Sequence, residues 1–163
     1  MKVKLKKLVS NAKIPTQAHD KDFCYDVYAT SCEEIEPGIW KYGVGLSYEI
    51  VRQPTLSQVI FGSIDVESML SSSKVKISID FRPRSSVWQT GMILSNCEGT
   101  LDELYRGEIL AYFYEVIPGK EKYKVGDRIG QIKLGFTLPI EFVEDNIDMN
   151  TERGVGGFGS TGR

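Results

Sequence analysis

Hydrophobic and polar residues alternate with a period of two along much of the chain. In the clearest run, 74–81, four apolar residues alternate with four polar ones. The runs 2–6 and 131–136 follow the same rule, and 109–117 is a longer apolar and aromatic stretch. Such alternation predicts strands that bury one face and expose the other.

Turn signals interrupt these runs at short intervals. The residue pairs at 37–38, 118–119 and 126–127 contain Pro-Gly or Gly-Asp and are typical of tight turns. Frequent short strands predict an all-β sandwich or barrel. Residues 54–73 differ, because their apolar positions recur at helical spacing, and we expect a short helical or irregular insertion there. No repeat or linker divides the chain, so we expect a single domain over 1–163.

Composition narrows the function. The chain has 163 residues, with 20 Lys and Arg against 22 Asp and Glu, for a net charge of −2. This balance argues against a nucleic-acid or membrane-surface binder, since both need a basic excess. No apolar run is long enough for a transmembrane helix, and the N-terminus lacks a signal-peptide pattern, so we expect a cytoplasmic protein.

Cysteine and histidine are too few for several kinds of site. Cys24, Cys32 and Cys97 are odd in number and lack CxxC spacing, which indicates reduced thiols rather than disulfides or a zinc site. His19 is the only histidine, which excludes a His-based triad or a multi-His metal site within one chain.

The chain ends in a glycine-rich segment, 153–163. Glycines contribute no core and lose much entropy on ordering, so a mobile tail is one interpretation. A nucleotide lid is the other. Arg153 and the hydroxyls of Ser160 and Thr161 suit phosphate oxygens, and Phe158 offers a flat face to a base.

Residues Arg84, Ser85 and Ser86 follow the clear strand that ends near residue 81. A guanidinium and two hydroxyls at a strand end can hold phosphate oxygens. The same residues are also common in ordinary surface turns.

The segment 96–108 carries further polar chemistry. Its glycine-containing connection between extended runs predicts a hairpin. The Asn96 amide can read the edge of a base, and Asp102 can orient and deprotonate a water. Each residue also has a structural interpretation, with Asn96 capping a turn, Asp102 solvated and Tyr105 in the core.

Five segments, in order, resemble the five motifs of the trimeric dUTPase family. They are Phe23-Cys24-Tyr25-Asp26-Val27-Tyr28-Ala29, Pro83-Arg84-Ser85-Ser86, the series from Asn96 to Glu108, Gly126-Asp127-Arg128-Ile129-Gly130-Gln131, and 153–162. The third and fifth segments are highly specific. The chain departs from the family at Cys24, where glycine is common, at Trp88, at Gly130, where alanine is usual, and in the longer stretch 54–73.

The resemblance implies a jelly-roll-like β-barrel with a flexible C-terminal arm. It also implies a homotrimer whose active sites are shared between subunits, and Mg²⁺ as cofactor. The implied reaction is hydrolysis of dUTP to dUMP and pyrophosphate, by attack of an Asp-activated water on the α-phosphate. This activity limits uracil incorporation into DNA and supplies dUMP for thymidylate synthesis. No nucleic-acid or membrane partner is expected.

The same resemblance implies individual roles. Asp102 is the base, and Asp26 would reach Mg²⁺ only through water. Tyr105 packs beneath the deoxyribose. The expected substrate-binding residues are Arg84, Ser85, Ser86, Asn96, Gly99, Thr100, Leu101, Tyr105, Leu110, Gln131, Arg153, Phe158, Gly159, Ser160 and Thr161.

Two alternatives stay open at this point. A dCTP deaminase has a related fold, although its members typically lack this glycine-rich tail. A non-enzymatic regulator could use a dUTPase-like body to bind another protein through 54–73, and the intact Asp102 argues against that interpretation.

Overall fold

The computed structural model describes residues 2–52 and 75–156. Within them the chain is mostly β-strand, with one short 3₁₀ helix at Ser85–Thr90. The strands are β1 (Lys2–Lys7), β2 (Tyr25–Tyr28), β3 (Ser31–Glu36), β4 (Ile39–Gly43), β5 (Leu46–Val51), β6 (Lys76–Pro83), β7 (Met92–Leu94), β8 (Gly99–Asp102), β9 (Leu110–Glu115) and β10 (Arg128–Thr137). The expected insertion over 54–73 and the end of the expected arm, 157–163, lie outside the described residues.

The described strands form three antiparallel sheets. One has the order β2-β10-β6-β8, the second β3-β4-β9-β7, and the third pairs β1 with β5. The predominance of strands confirms the expected β class. Closure into a jelly-roll-like barrel stays a prediction. None of the helices that the structure describes is long and apolar enough to cross a membrane.

The core lies beneath the apolar face of the β2-β10-β6-β8 sheet. Ile77, Ile79 and Phe81 are almost fully buried, as the alternation over 74–81 predicts. On the other side of the core, Tyr42 and Phe113 make an edge-to-face contact with ring centroids 5.6 Å apart. Such aromatic pairs add to the stabilisation that comes from apolar burial.

The opposite side of the same sheet is polar, and we call it the polar face. The register of the strands brings the following residues together on it: Asp26 from β2, Gln131, Lys133 and Gly135 from β10, Ser78, Asp80 and Arg82 from β6, and Thr100 and Asp102 from β8. The polar residues of the period-two pattern therefore form one continuous surface.

The predicted hairpin around 96–108 is confirmed for the strands on either side of the segment. β7 and β9 flank the segment and pair with each other, whereas β8 leaves them and pairs with β6. β8 therefore lies within the connection of this hairpin, and Leu101 in β8 packs against the hydrophobic core. β8 becomes an edge strand of its sheet.

Candidate functional site

At one end of the polar face, a buried carboxylate is surrounded by two arginine side chains and a glutamine amide. Asp26 in β2 is 4% exposed. Arg128 Nη1 donates to its Oδ2 at 3.0 Å, and Gln131 Nε2 donates to its Oδ1 at 3.1 Å. Arg84 Nε lies 3.5 Å from Oδ1. We call Asp26, Arg84, Arg128 and Gln131 the arginine pocket, which borders a cavity of about 310 Å³.

A bulge in β10 explains how Arg128 and Gln131 reach the same carboxylate. Residues three apart on a regular strand point to opposite faces. The register between β10 and β2 shifts between Arg128 and Gly130, and this irregularity brings Arg128 to the side of Gln131. The strand therefore supplies two donors to Asp26 instead of one.

Arg84 immediately precedes the 3₁₀ helix, and its side chain extends into the pocket. Its Nε is buried and has no hydrogen-bond partner among the residues that the structure describes. The Asp26 carboxylate holds this guanidinium electrostatically, which leaves Arg84 with donor capacity for an anionic ligand.

Ser85 and Ser86 open the 3₁₀ helix beside the pocket, with Ser85 exposed and Ser86 half-buried. The helix is fixed at its end, because Thr90 Oγ1 donates to the Val87 carbonyl oxygen at 2.6 Å. Trp88, on the same helix, is 69% exposed. The two hydroxyls are thus carried on a well-anchored turn.

Asp102 lies at the other end of the polar face, as the last residue of β8. It is exposed and borders a second cavity of about 500 Å³, together with Ser78 and Thr100. Its carboxylate makes no hydrogen bond or ion pair with the residues described in the structure. A solvated carboxylate of this kind can accept a proton from a water.

A tight turn follows Asp102 and holds Tyr105. The Tyr105 amide donates to the Asp102 carbonyl oxygen at 2.9 Å, and the Tyr105 hydroxyl donates to the Glu108 carbonyl oxygen at 2.9 Å. Tyr105 is exposed rather than a core residue. Its ring therefore has a fixed orientation and a free face.

The remaining residues expected to contact substrate in this region surround β8. Asn96 is exposed and lies beside Gly99, which opens the strand. Thr100 is exposed on the polar face, whereas Leu101 is half-buried toward the core. Leu110, at the start of β9, is half-buried.

The arginine pocket and Asp102 are far apart within one chain. Asp26 is opposite Gln131, whereas Asp102 is opposite Ser78, which in turn is opposite Gly135. The two rows are four residues apart along β10 and three strand spacings apart across the sheet. With about 3.3 Å per residue and about 4.8 Å per strand, the separation is roughly 19 Å.

The expected arm is described only at its beginning. Arg153 is exposed, and its Nε donates to the Gly156 carbonyl oxygen at 3.1 Å. Phe158, Gly159, Ser160 and Thr161 lie outside the described residues. Their contribution to a site stays a prediction.

Sequence reasoning missed Arg128 and Phe23. Arg128 belongs to the fourth motif-like segment, but only the bulge turns it toward Asp26. Phe23, in the first such segment, borders both cavities with an exposed ring. The three cysteines are free thiols, as expected, and Cys24 borders the cavity of the arginine pocket.

The described residues do not fit a magnesium ion held by the protein alone. They contain no group of three or more His, Cys, Asp or Glu side chains that could hold a metal. The Asp26 oxygens already accept hydrogen bonds from Arg128 and Gln131, and these donors compete with a cation. Asp26, Arg84 and Arg128 together carry a net positive charge.

Comparison with known proteins places the chain in one family. The dUTPase family model matches residues 63–162. The deoxyuridine 5'-triphosphate nucleotidohydrolase of Nautilia profundicola is 32% identical over the full length of both chains. The enzyme of the same name from Helicobacter pylori is 32% identical over 99% of this chain and 97% of its own.

Solved structures agree on the fold. A mutant dUTPase of Staphylococcus bacteriophage 80alpha with dUpNHpp has a TM-score of 0.70 at 18% identity and covers 99% of both chains. A mutant dUTPase of phage phi11 of S. aureus, reported with a structural Mg(II) ion, has a TM-score of 0.56 at 15% identity, covering 93% of this chain and 99% of its own. The chain belongs to the dUTPase family, whose enzymes are dUTP diphosphatases.

Proposed function

We propose that this protein hydrolyses dUTP to dUMP and pyrophosphate. The observation that carries the proposal is the arginine pocket on the polar face of a dUTPase family member that retains Asp102. An anion site can hold the phosphates, and a solvated carboxylate can activate the attacking water.

The arginine pocket would hold the phosphates. Arg84 and Arg128 flank a single buried carboxylate, so the three side chains carry a net positive charge. Each charge-assisted hydrogen bond to a phosphate oxygen contributes about 1.5–3 kcal/mol. Ser85, Ser86 and Gln131 add neutral donors beside the two arginines.

Asp102 would act as the base. Its carboxylate takes a proton from a water as the water oxygen bonds to the α-phosphorus. The bond between the α-phosphorus and the bridging oxygen breaks, and the electron pair leaves with pyrophosphate. Charge that develops on the leaving group is stabilised by donors such as Arg84, if these contacts strengthen in the transition state.

The edge position of β8 supports recognition of uracil. An edge strand presents the unpaired backbone N–H and C=O groups of alternate residues, and β8 is an edge strand among the described strands. The Asn96 amide lies at the start of this edge. A site that hydrogen-bonds one base leaves buried polar groups unpaired with another, which can cost about 10⁴-fold or more in specificity.

The separation within one chain supports active sites shared between copies. A base must lie about 3 Å from the water that it activates, whereas Asp102 is roughly 19 Å from the arginine pocket. One triphosphate therefore needs Asp102 from one copy and the pocket from another. This is the arrangement that the family resemblance implies for a homotrimer.

The segment 138–149 also supports assembly. It follows β10 without forming a strand, and its apolar side chains are exposed, with Phe142 at 92%. Exposed apolar residues in an extended segment mark a surface that another chain covers. We propose that the segment crosses to a neighbouring copy and brings Arg153 to that copy's site.

Magnesium enters the proposal only as part of the substrate. Mg²⁺ is commonly bound by substrate phosphates and water with few protein ligands. The described residues agree with this, since Asp26 has both arginine and amide donors around it. The wider role, limiting uracil in DNA and supplying dUMP, follows from the same proposal.

The experiment offers dUTP, dCTP, dTTP and UTP with Mg²⁺ to the full chain and to Asp102→Asn. We expect dUMP and pyrophosphate from dUTP alone, and a fall in kcat of about 10²–10⁴-fold in the variant. Binding of dUpNHpp should persist in the variant, and Asp20→Asn, at an exposed loop, is the matched control. Ammonia release from dCTP, or parental turnover by Asp102→Asn, would contradict the proposal.

A further inference from the structure

A buried tyrosine from a different sheet holds the main chain at Asp102. Tyr48 in β5 is 2% exposed, and its hydroxyl donates to the Asp102 carbonyl oxygen at 2.5 Å. Burial, followed by the nearby Asp102 charge, raises the pKa of Tyr48 to about 12. The hydroxyl therefore stays protonated and remains a donor at all working pH values.

Arg52, just after β5, forms a bidentate ion pair with Glu103, the residue that follows Asp102. Arg52 Nε donates to Glu103 Oε1 at 2.7 Å, and Arg52 Nη2 donates to Glu103 Oε2 at 2.6 Å. Arg52 Nη2 also donates to the Val75 carbonyl oxygen at 2.6 Å. Such a bidentate pair fixes direction as well as distance. The hydrogen bonds from Arg52 lower the pKa of Glu103, so the pair persists at neutral pH.

These contacts lie at the end of β8, where its pairing with β6 stops. The pairing of β8 with β6 ends at Asp102, opposite Ser78. The Asp102 carboxylate has no hydrogen-bond or ion-pair partner in the described part of the chain, so nothing there orients the side chain directly. The direction of its Cα–Cβ bond is then set by the main chain, which Tyr48 and Arg52 hold on both sides of the 102–103 peptide bond.

We propose that Tyr48 and Arg52, the latter through Glu103, are positioning residues that aim the Asp102 carboxylate. This proposal rests on the proposed role of Asp102 as the base. A carboxylate on an exposed strand end needs such support, because a misplacement of about 1 Å can cost on the order of 10²-fold in rate. Neither residue lies in the motif-like segments of the sequence.

The first test conservatively replaces the hydroxyl donor Tyr48 and the carboxylate Glu103, which accepts from Arg52. Tyr48→Phe and Glu103→Gln should each lower kcat for dUTP by roughly 10–100-fold, with KM changed less than about threefold, since phosphate and base contacts remain. The matched controls are Tyr42→Phe, a buried tyrosine that donates to the Tyr123 carbonyl oxygen, and Glu115→Gln, which pairs with Lys122 at 2.6 Å. Both controls should keep the parental kcat.

A double-mutant cycle separates positioning from general loosening. If Tyr48 acts through Asp102, then Tyr48→Phe should cause no further loss of the residual rate in the Asp102→Asn background. An equal fractional loss in both backgrounds, or an equal loss in Tyr42→Phe, would overturn the proposal.

Amide hydrogen exchange tests the contact between Tyr48 and the Asp102 carbonyl oxygen without measuring turnover. Tyr48→Phe should speed exchange of the Tyr105 amide, which donates to the Asp102 carbonyl oxygen, and Tyr42→Phe should not. Unchanged exchange in Tyr48→Phe would refute the positioning role. Faster exchange in a protein whose parent does not hydrolyse dUTP would instead refute the proposed function and leave the main-chain clamp standing.

Discussion

At the residue scale, Gly130 in β10 makes room for an aromatic ring. A Cβ atom at this position would overlap the ring of Phe81 and lie 2.8 Å from the carbonyl oxygen of Arg82. Both Gly130 and Phe81 are buried, so neither can move into solvent. Gly130, where the family usually has alanine, therefore leaves the space that the Phe81 ring on the neighbouring strand β6 occupies.

Gly130→Ala should therefore lower the free energy of unfolding by about 1–3 kcal/mol, the usual cost of overpacking a core. Urea denaturation of the purified protein measures the change. Phe81→Leu in the same chain should recover part of the loss, because the smaller side chain vacates the space. Strictly additive effects of the two substitutions would show that the overlap is not the cause.

Residue patterns in the sequence could predict Asp102, Arg84 and Gln131 as candidates, because they stand in recognisable motifs. Arg128 could not be assigned, since its direction depends on a bulge that leaves no mark in the alternation of residue types. Tyr48 could not be assigned either. Its hydroxyl meets Asp102 only because two sheets that are distant in sequence pack together.

At the element scale, the polar face contains a network of charged residues that extends from buried Asp80 and half-buried Lys133 to exposed Arg82. Lys133 Nζ lies 2.5 Å from Asp80 Oδ2 and 3.8 Å from Glu98 Oε1, while Arg82 Nε lies 2.5 Å from Glu98 Oε1. Asp80 is 8% exposed. The network ties β6 and β10 to the residue that precedes β8.

Asp80→Asn should destabilise the fold by about 1.5–3 kcal/mol at neutral pH, through loss of charged hydrogen bonds. Burial acts to raise the pKa of Asp80, but hydrogen bonds from Lys133 and Ser78 outweigh it, so the folded pKa is lowered. The stabilisation is present above the unfolded pKa of about 3.9 and is lost as the pH falls through the folded pKa.

Thermal unfolding from pH 7 to pH 3 measures this dependence. The difference in Tm between the parent and Asp80→Asn should be largest near neutral pH and should shrink as the pH falls. Glu49→Gln is the control, because its pair with Lys4 is about half-exposed on both sides and should change Tm little. A Tm difference that stays constant with pH would mean that the lost hydrogen bonds do not depend on charge.

Strand positions were largely predictable, but apart from the β7–β9 hairpin the strand partners were not. The alternation in 74–81 and 131–136 identifies β6 and β10, because the period depends only on neighbouring residues. β8 pairs with β6, and 15 residues separate the end of β6 from the start of β8. That pairing depends on core packing, and the nearest turn signal in 96–108 gives no information about it.

At the scale of the whole molecule, the separation between Asp102 and the arginine pocket allows a test of shared sites. Asp102→Asn and Arg84→Ala should each be nearly inactive alone. In a randomly mixed assembly, about a quarter of the sites combine an intact base from one copy with an intact pocket from another. We therefore expect refolding of the two variants together to restore activity to about that fraction of the parent.

The control mixture contains Arg84→Ala and Ser85→Ala, two defects on the same half of the site. Recovery should be absent there, since the intact pocket residues then belong to different chains. Activity that fails to rise in the first mixture, although sedimentation shows mixed assemblies, would mean that each site lies within one chain.

Assembly itself was not predictable from periodicity. In the sequence, the apolar residues at 138–149 resemble those of a short strand. Only the structure shows that they are exposed and pair with no strand in the described part of the chain. The resemblance of the motifs, rather than the physics of one chain, supplied the expectation of a trimer.

The distance between the two halves of the site also has a genetic consequence. Under the proposed sharing, a chain with a defective carboxylate impairs a pocket that another, healthy chain has built. In a cell that expresses a defective and an intact form of the chain, the defect would therefore reduce the activity of the mixed assemblies. Two different defective alleles could still complement each other, provided that they damage opposite ends of the polar face.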